Sequence, residues 1–252
     1  MAAPDWLTAR PIAHRGYHNR AERRIENTLP AAAAAVQRRF AIECDLQITS
    51  DNRPVVFHDK TFDRLTEATG KLSDKTLAEA RAARFRESDA RIPTLEELLD
   101  LVDGRVPLVI ELKSDWSGDR RLEQAVAPIL ATYSGPAAVM SFDPASMAAM
   151  RRLAPNLPRG LIADHFDDGP DWGHLSAARR FALRHLFAAA TVLPSFVSYG
   201  IKALPANAPL TLHHLGMTLI CWTVRTPADL ARAREYTDQI TFEGFDPDTM
   251  PM

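Results

Sequence analysis

A repeated alternation between short apolar runs and helix-forming segments is the sequence feature that most constrains the fold. Eight such runs predict strands, at residues 10–14, 41–47, 107–113, 137–142, 158–163, 196–201, 218–224 and 239–243. Strands that alternate with helices usually form a parallel sheet. Eight units within 252 residues match a closed TIM (β/α)8 barrel, which typically needs about 250 residues, better than an open doubly wound sheet.

Two segments depart from this rhythm. Residues 60–91 are polar, contain Gly70 and have only a short helical pattern at 76–85, so we expect an insertion after strand two that lies over one end of the barrel. Only residues 244–252 follow the last predicted strand, so the eighth helix should be vestigial or missing. We therefore expect one domain over residues 1–252, with an inserted segment at about 60–91.

Composition argues against several classes of protein. The net charge of -2 and the pI near 6.4 give no support for a nucleic-acid surface. The two cysteines, Cys44 and Cys221, do not suggest a disulfide scaffold, and both should point away from the barrel interior. The most apolar stretch, 181–201, is interrupted by charged residues and a proline, so it falls short of the ~20 apolar residues that stable membrane insertion needs. The start has no secretory signal pattern, which favours a cytoplasmic protein, and its oligomeric state stays open.

Polar side chains collect where the predicted strands end. Glu43 and Asp45 are two residues apart on the second strand and therefore share a face, as Glu111 and Lys113 do on the third. The same ends carry His14, Arg15, His58 and Trp222. Because active sites of such barrels lie at the carboxyl ends of the strands, we expect these side chains to share one pocket.

The three acids predict a cation site. Glu43, Asp45 and Glu111 offer oxygen ligands, which suit one Mg²⁺ or Ca²⁺ and suit a soft metal poorly. Three buried carboxylates without a cation would repel one another. The alternative is an ordinary half-exposed strand, because alternating acids are common on solvated sheet faces.

The neighbouring basic residues complete a set that matches phosphoryl transfer. Arg15 and Lys113 could hold phosphate oxygens, while His14 and His58 are enough for one base and one acid. Each has a simpler alternative. A lone histidine at a strand end is more often structural, and Glu111 with Lys113 could be an exposed ion pair worth under ~1 kcal/mol.

The other polar residues are interpreted as structural. Trp222, on residue type alone, is more often core than a ligand contact. The acidic loop with Asp164, Asp167 and Asp168 could rim the pocket, but a solvated loop is the preferred interpretation. The remaining histidines match no metal-ligand spacing: His165, His174, His185, His213 and His214.

An ordered set of motifs resembles a known family. The motifs are His14-Arg15-Gly16, Glu26-Asn27-Thr28, Glu43-x-Asp45, His58-Asp59, Asp63-Arg64-x-Thr66, residues 92–97, Ile110-Glu111-x-Lys113, Ser141-Phe142 and Trp222-Thr223-Val224. In this order they resemble the glycerophosphodiester phosphodiesterases, most densely over residues 12–113.

The resemblance implies a TIM barrel with a small insertion and the metal-dependent hydrolysis of glycerophosphodiesters, small-molecule substrates, to sn-glycerol 3-phosphate and an alcohol. It implies an acid–base pair, His14 and His58, and a one-cation site, Glu43, Asp45 and Glu111. It also implies three substrate contacts: Arg15, Lys113 and Trp222.

Departures from the family pattern leave the substrate open. The last strand lacks the usual Thr-Asp pair, so Glu243 could replace that Asp one position later, or the loop could differ. Residues 196–204 match no motif, and both regions could border the alcohol part of a substrate. One alternative is lysophospholipase D-type hydrolysis, with residues 181–201 accepting an acyl chain. Another is a non-catalytic phosphate-binding or scaffold protein on the same barrel.

Overall fold

The computed structural model describes residues 2–250, which form a closed barrel of eight parallel strands. The described residues contain nine strands, the eight of the barrel and the short β3: β1 (Ile12–Ala13), β2 (Ala41–Ile48), β3 (Pro54–Val56), β4 (Leu108–Leu112), β5 (Ala137–Ser141), β6 (Arg159–Ala163), β7 (Phe196–Gly200), β8 (Thr218–Val224) and β9 (Gln239–Phe242). The barrel closes because β1 pairs in parallel with both β2 and β9. Of these strands only β3 is antiparallel. It pairs with the carboxyl-terminal end of β2 and lies outside the barrel. The predicted TIM barrel is confirmed.

Helices separate most of the barrel strands, as the alternation predicts. They are α1 (Trp6–Ala9), α2 (Leu29–Gln37), α3 (Leu77–Ala82), α4 (Leu95–Val102), α5 (Arg121–Thr132), α6 (Pro144–Leu153), α7 (Ala177–Arg184), α8 (Ala189–Val192), α9 (Asn207–His214) and α10 (Pro227–Tyr236). Within residues 2–250 none of them has the length and apolar character to cross a membrane. After β9 the chain forms only a 3-10 turn, Pro247–Thr249, so the eighth helix is missing up to residue 250.

The apolar side chains of the strands form two layers, one inside the barrel and one between the strands and the helices. Alternate strand residues fill the interior, where Val109, Met140 and Phe196 pack together, because successive side chains point to opposite faces. The other set packs against the helices, and this outer layer includes both Cys44 and Cys221. The cysteines therefore lie where the alternation predicts.

A short helix that the sequence pattern did not predict lies at the amino end of the barrel. α1 precedes β1, and its Leu7 is fully buried among the interior residues of the barrel strands. It fills the end of the interior opposite to the strand ends that carry the site. This end of the interior is therefore apolar, and the polar site residues lie at the other end of the barrel.

The inserted segment has an apolar cluster of its own. Phe57, Phe62, Leu72 and Phe85 are buried together there. The helix α3 begins with a capping box in which Thr76 and Glu79 satisfy each other's backbone N–H groups. The insertion is therefore packed structure that contacts β3 and the loop behind it, although its sequence is largely polar.

Candidate active site

A cavity of about 560 Å³ opens at the carboxyl ends of the barrel strands. Its wall includes most of the predicted site residues: His14, Arg15, Glu43, His58, Glu111, Lys113 and Trp222. The eighth, Asp45, lies directly behind this wall, with Lys113 Nζ 3.5 Å from its Oδ1. The structure thus brings together all eight residues that the sequence singled out.

Three carboxylates converge at one point of the cavity. One oxygen each of Glu43, Asp45 and Glu111 lies within 4.8 Å of the others, and all three residues are buried. Asp45 and Glu111 are direct partners in the β2–β4 register, while Glu43 is two residues back on the same face. The register of two neighbouring strands therefore creates the cluster.

The charge state of this cluster fits a hard divalent cation. Burial raises the pKa of Glu43 well above its usual value, and the charges of Asp45 and Glu111 raise it further. Burial also raises the pKa of Glu111, although Lys113 opposes this shift. Carboxylates in such surroundings are unfavourable without a compensating charge. An all-oxygen donor set is the one that Mg²⁺ and Ca²⁺ prefer, so the residues present suit such an ion.

Hydrogen bonds from the loop after β1 orient two of the acids. Asn27 Nδ2 donates to Asp45 Oδ2 over 2.8 Å, and its Oδ1 accepts the backbone N–H of Asp45. The backbone N–H of Arg15 donates to Glu43 Oε2 over 2.9 Å. Thr28 follows Asn27 directly in the chain. Thr28 holds the N-cap position of α2, but its hydroxyl donates to the carbonyl of Ile25 and makes no cap bond.

Two cations lie beside the carboxylates. Lys113 Nζ is 3.0 Å from Glu111 Oε1. Burial lowers the pKa of Lys113, but Glu111 and Asp45 outweigh burial and hold it above its usual range. Arg15 Nε is 3.4 Å from Asp45 Oδ2, and its Nη1 donates to Glu26 over 2.6 Å. Both cations stay charged at the edge of the cavity and can bind an anion.

His14 is buried between two acids from opposite ends of the chain. Its Nδ1 lies 2.8 Å from Glu243 Oε2, and its Nε2 lies 3.9 Å from Glu43 Oε2. Burial lowers the pKa of His14 to about 4 despite the opposing hydrogen bond with Glu243. Arg225 Nη2 also donates to Glu243 Oε2 over 2.8 Å. Glu243, which follows the last strand, thus brings a carboxylate to the ring of His14.

His58 is oriented by the inserted segment. Its Nδ1 lies 2.7 Å from Asp59 Oδ1. Arg64 donates to the same carboxylate over 2.9 Å and to Glu26 over 2.7 Å. Gln47 fixes the backbone on either side of His58 by donating to the carbonyls of Phe57 and Asp59. The imidazole is half-buried and lines the same cavity as His14.

Aromatic rings line the remaining wall, and the sequence reasoning missed two of them. Trp116 and Trp172 lie on the loops after β4 and β6, with ring centroids 6.3 Å apart. Phe142 lies 4.9 Å from Trp172 and 5.4 Å from Trp222. Trp222 is half-buried: it packs against the interior apolar cluster and also lines the cavity. No local pattern marks a loop tryptophan as a pocket residue.

The structure also changes the interpretation of the acidic loop and of one histidine. The interpretation of Asp164 as solvated was wrong, because it lines the cavity and accepts hydrogen bonds from the backbone of Phe166 and from Trp172 Nε1. Asp167 and Asp168 are exposed, as expected. His174, which had been set aside as structural, also lines the cavity. Residues 196–204, suggested as a border of the alcohol site, are absent from its described lining.

Comparisons with known proteins agree with this geometry. Residues 14–242 match the model of the glycerophosphoryl diester phosphodiesterase family. The Bacillus subtilis protein YhdW, named after glycerophosphodiester phosphodiesterase activity, is 31% identical over 88% of each chain.

Solved structures give the same match. A Silicibacter pomeroyi structure, named after glycerophosphoryl diester phosphodiesterase activity, is 26% identical, with a TM-score of 0.75 over 92% of this chain and 89% of its own. A phosphodiesterase of Oleispira antarctica, solved with its product sn-glycerol 3-phosphate, shares the fold at 20% identity, with a TM-score of 0.76 over 92% of each chain. The chain therefore belongs to the glycerophosphoryl diester phosphodiesterase family and is a phosphoric diester hydrolase.

Proposed function

We propose that the protein hydrolyses glycerophosphodiesters to sn-glycerol 3-phosphate and an alcohol, with one divalent cation, Mg²⁺ or Ca²⁺, held by Glu43, Asp45 and Glu111. The observation that carries the proposal is the convergence of these acids within 4.8 Å of one another, beside two cations and two histidines of one cavity. A cation bound there supplies positive charge that polarises a phosphoryl oxygen.

Arg15 and Lys113 bind and orient the phosphate in this proposal. Both are ion-paired with the acids of the cluster, so their charges are fixed in place before substrate arrives, which lowers the cost of reorganisation. Trp222 donates its indole N–H to the carbonyl of Ser198 over 3.2 Å, so its ring is held at the cavity wall as an apolar contact for the substrate.

We assign the base to His14 and the acid to His58. Glu243 accepts the Nδ1 proton of His14, which leaves Nε2 free to accept a proton from the water whose oxygen attacks phosphorus. Asp59 accepts the Nδ1 proton of His58 in the same way, and the imidazole of His58 is half-buried. His58 gives a proton to the oxygen of the leaving alcohol, so that no free alkoxide is released.

Glu243 acts through His14 as a positioning residue. Glu243→Ala should lower kcat by about 10- to 100-fold, the scale of losing a carboxylate that orients a metal-binding histidine. KM should change little, because Glu243 meets the ring of His14 and not the phosphate-binding cations. Glu243→Gln keeps an acceptor oxygen and should retain more of the wild-type kcat. Steady-state kinetics of the two variants on one diester measure both quantities.

The matched control for this prediction is Asp248→Ala. Asp248 lies on the same terminal segment and pairs with Arg10 away from the cavity, so its loss should leave kcat unchanged. A rise in KM with unchanged kcat in Glu243→Ala would move Glu243 from positioning to substrate binding.

The lysophospholipid alternative requires an apolar border for an acyl chain. None of residues 181–201 is in the described cavity lining, so the segment that suggested this activity is not where the substrate would bind. The half of the wall formed by β1, β2 and β4 is charged. We therefore favour water-soluble diesters.

A direct assay tests the proposed function. Purified protein is incubated with glycerophosphocholine, glycerophosphoglycerol or lysophosphatidylcholine, each with Mg²⁺, Ca²⁺ or EDTA. We expect release of glycerol 3-phosphate from at least one soluble diester, and loss of that release in EDTA. Full turnover in EDTA would refute the cation, and hydrolysis of lysophosphatidylcholine alone would refute the substrate class.

A further inference from the structure

The cavity has two chemically different halves. The charged half, from β1, β2, β4 and the segment after β3, contains the acids, cations and histidines already assigned to the phosphate and its hydrolysis. The other half comes from β5, β6 and β8, the loops that follow them and the loop after β4. A diester carries two substituents on its phosphate, so a second surface beside the phosphate site is available to bind one of them.

This second half is a continuous wall of aromatic rings. Trp222 packs edge-on against Phe142 at 5.4 Å, Phe142 contacts Trp172 at 4.9 Å, and Trp172 packs edge-on against Trp116 at 6.3 Å. Trp116 already stacks against the guanidinium of Arg179, whose Cζ is 4.7 Å from its ring centroid. The rings nearest to the centre of the wall, Phe142 and Trp172, make no such pair with a cation among the described residues.

Acids accompany the rings on the loops after β5 and β6, whereas the loop after β8 contributes Arg225, whose guanidinium is paired with Glu243. The loops after β5 and β6 contribute Phe142, Asp164, Asp171 and Trp172 to the described lining, but neither lysine nor arginine. Asp164 is fixed beside the ring of Trp172 by the 3.3 Å bond from its indole N–H. Burial raises the pKa of Asp164, so a positive charge beside it would offset an unfavourable partly buried anion.

We propose that this aromatic–acidic wall, formed by Phe142, Asp164 and Trp172, binds a quaternary ammonium group in the alcohol part of the substrate. The inference rests on the proposed function, since it places the phosphate at Arg15 and Lys113. Electron-rich ring faces attract cations, and they suit alkylated ammonium groups best because these are weakly hydrated. The substrate class is then a glycerophosphodiester of a quaternary amino alcohol, such as choline.

Selectivity between two soluble diesters tests this proposal. The kcat/KM values for glycerophosphocholine and for the uncharged glycerophosphoglycerol are measured for the wild type, Trp172→Leu and Asp164→Asn. We expect the wild type to favour the choline ester by about tenfold or more, the scale of one desolvated cation–aromatic contact. The ratio should fall toward one in both variants, because each removes an attraction that only the cationic alcohol receives.

Two control variants separate this effect from general damage. Asp167→Asn removes an equal charge from the same loop, and Phe187→Leu removes an exposed aromatic ring; neither residue lines the cavity. Both variants should keep the wild-type ratio of the two kcat/KM values. A second readout needs no turnover: choline should quench tryptophan fluorescence of the EDTA-treated wild type at concentrations where glycerol does not, and this quenching should be lost in Trp172→Leu.

The two failures are distinguishable. If neither diester is hydrolysed under any metal condition, the proposed function fails. If both are hydrolysed with equal kcat/KM, or if the ratio is unchanged in Trp172→Leu and Asp164→Asn, the proposed function stands and the quaternary ammonium site is refuted.

Discussion

Replacing Glu111 by glutamine should lower kcat/KM by at least ~10³, or about 4 kcal/mol of transition-state stabilisation, because it removes one of three charged cation ligands. The fold should survive. Burial raises the pKa of Glu111, so its ionised form costs folding free energy above that pKa, and a neutral amide avoids this cost. The amide oxygen can still accept the hydrogen bond from Lys113. In EDTA, the variant should therefore melt no lower than the wild type.

Thermal melting with and without cation separates metal loss from misfolding. A ligand at 100 times its Kd stabilises a protein by about 2.7 kcal/mol, which corresponds to roughly 5–10 °C in Tm for a chain of this size. The wild type should gain this shift with Mg²⁺ or Ca²⁺, and Glu111→Gln should lose it. Glu67→Gln, which changes an exposed glutamate of the insertion, should behave like the wild type. An undiminished cation-induced shift in Glu111→Gln would remove Glu111 from the cation site.

His14→Ala should lower kcat by ~10² to 10⁴, the range of general acid–base catalysis. The loss should appear in kcat, because His14 contacts Glu243 and Glu43 and not the two phosphate-binding cations. The leaving group separates the two histidines. With a p-nitrophenyl diester, whose phenolate leaves without protonation, His58→Ala should recover much of its activity, and His14→Ala should not.

A histidine far from the cavity provides the matched control. His214, at the end of α9, bonds the carbonyl of Leu210 through Nδ1 and should tolerate alanine without loss of activity. Recovery of His14→Ala with the nitrophenyl diester would exchange the assigned roles of His14 and His58. A change in KM alone would make His14 a binding residue.

The sequence predicted the barrel and its charged residues because both depend on local periodicity. Glu43 and Asp45 share a face by strand alternation alone, and the parallel register then places Glu111 beside Asp45. Lys113 follows on the same face at the end of β4 and reaches both acids. Once the strands are assigned correctly, the geometry of the cluster follows from their pairing.

Features that depend on long-range contacts were beyond such reasoning. The four residues of α1 carry too little pattern for a helix prediction, and only burial of Leu7 beneath the barrel explains them. Trp116 and Trp172 reach the cavity through loop conformations that no periodicity specifies. Asp164 looks like its exposed neighbours Asp167 and Asp168 in sequence, and its place in the cavity wall and its bonds from Phe166 and Trp172 distinguish it.

The contacts of Arg64 give the inserted segment a consequence for evolution and engineering. One guanidinium joins Asp59, which orients His58, to Glu26, which holds Arg15. A shortened loop that removed Arg64 could leave the barrel and the three acids intact while loosening an imidazole and a phosphate ligand together. Transferring this reaction to another barrel would therefore require the inserted loop to be transferred together with the strands.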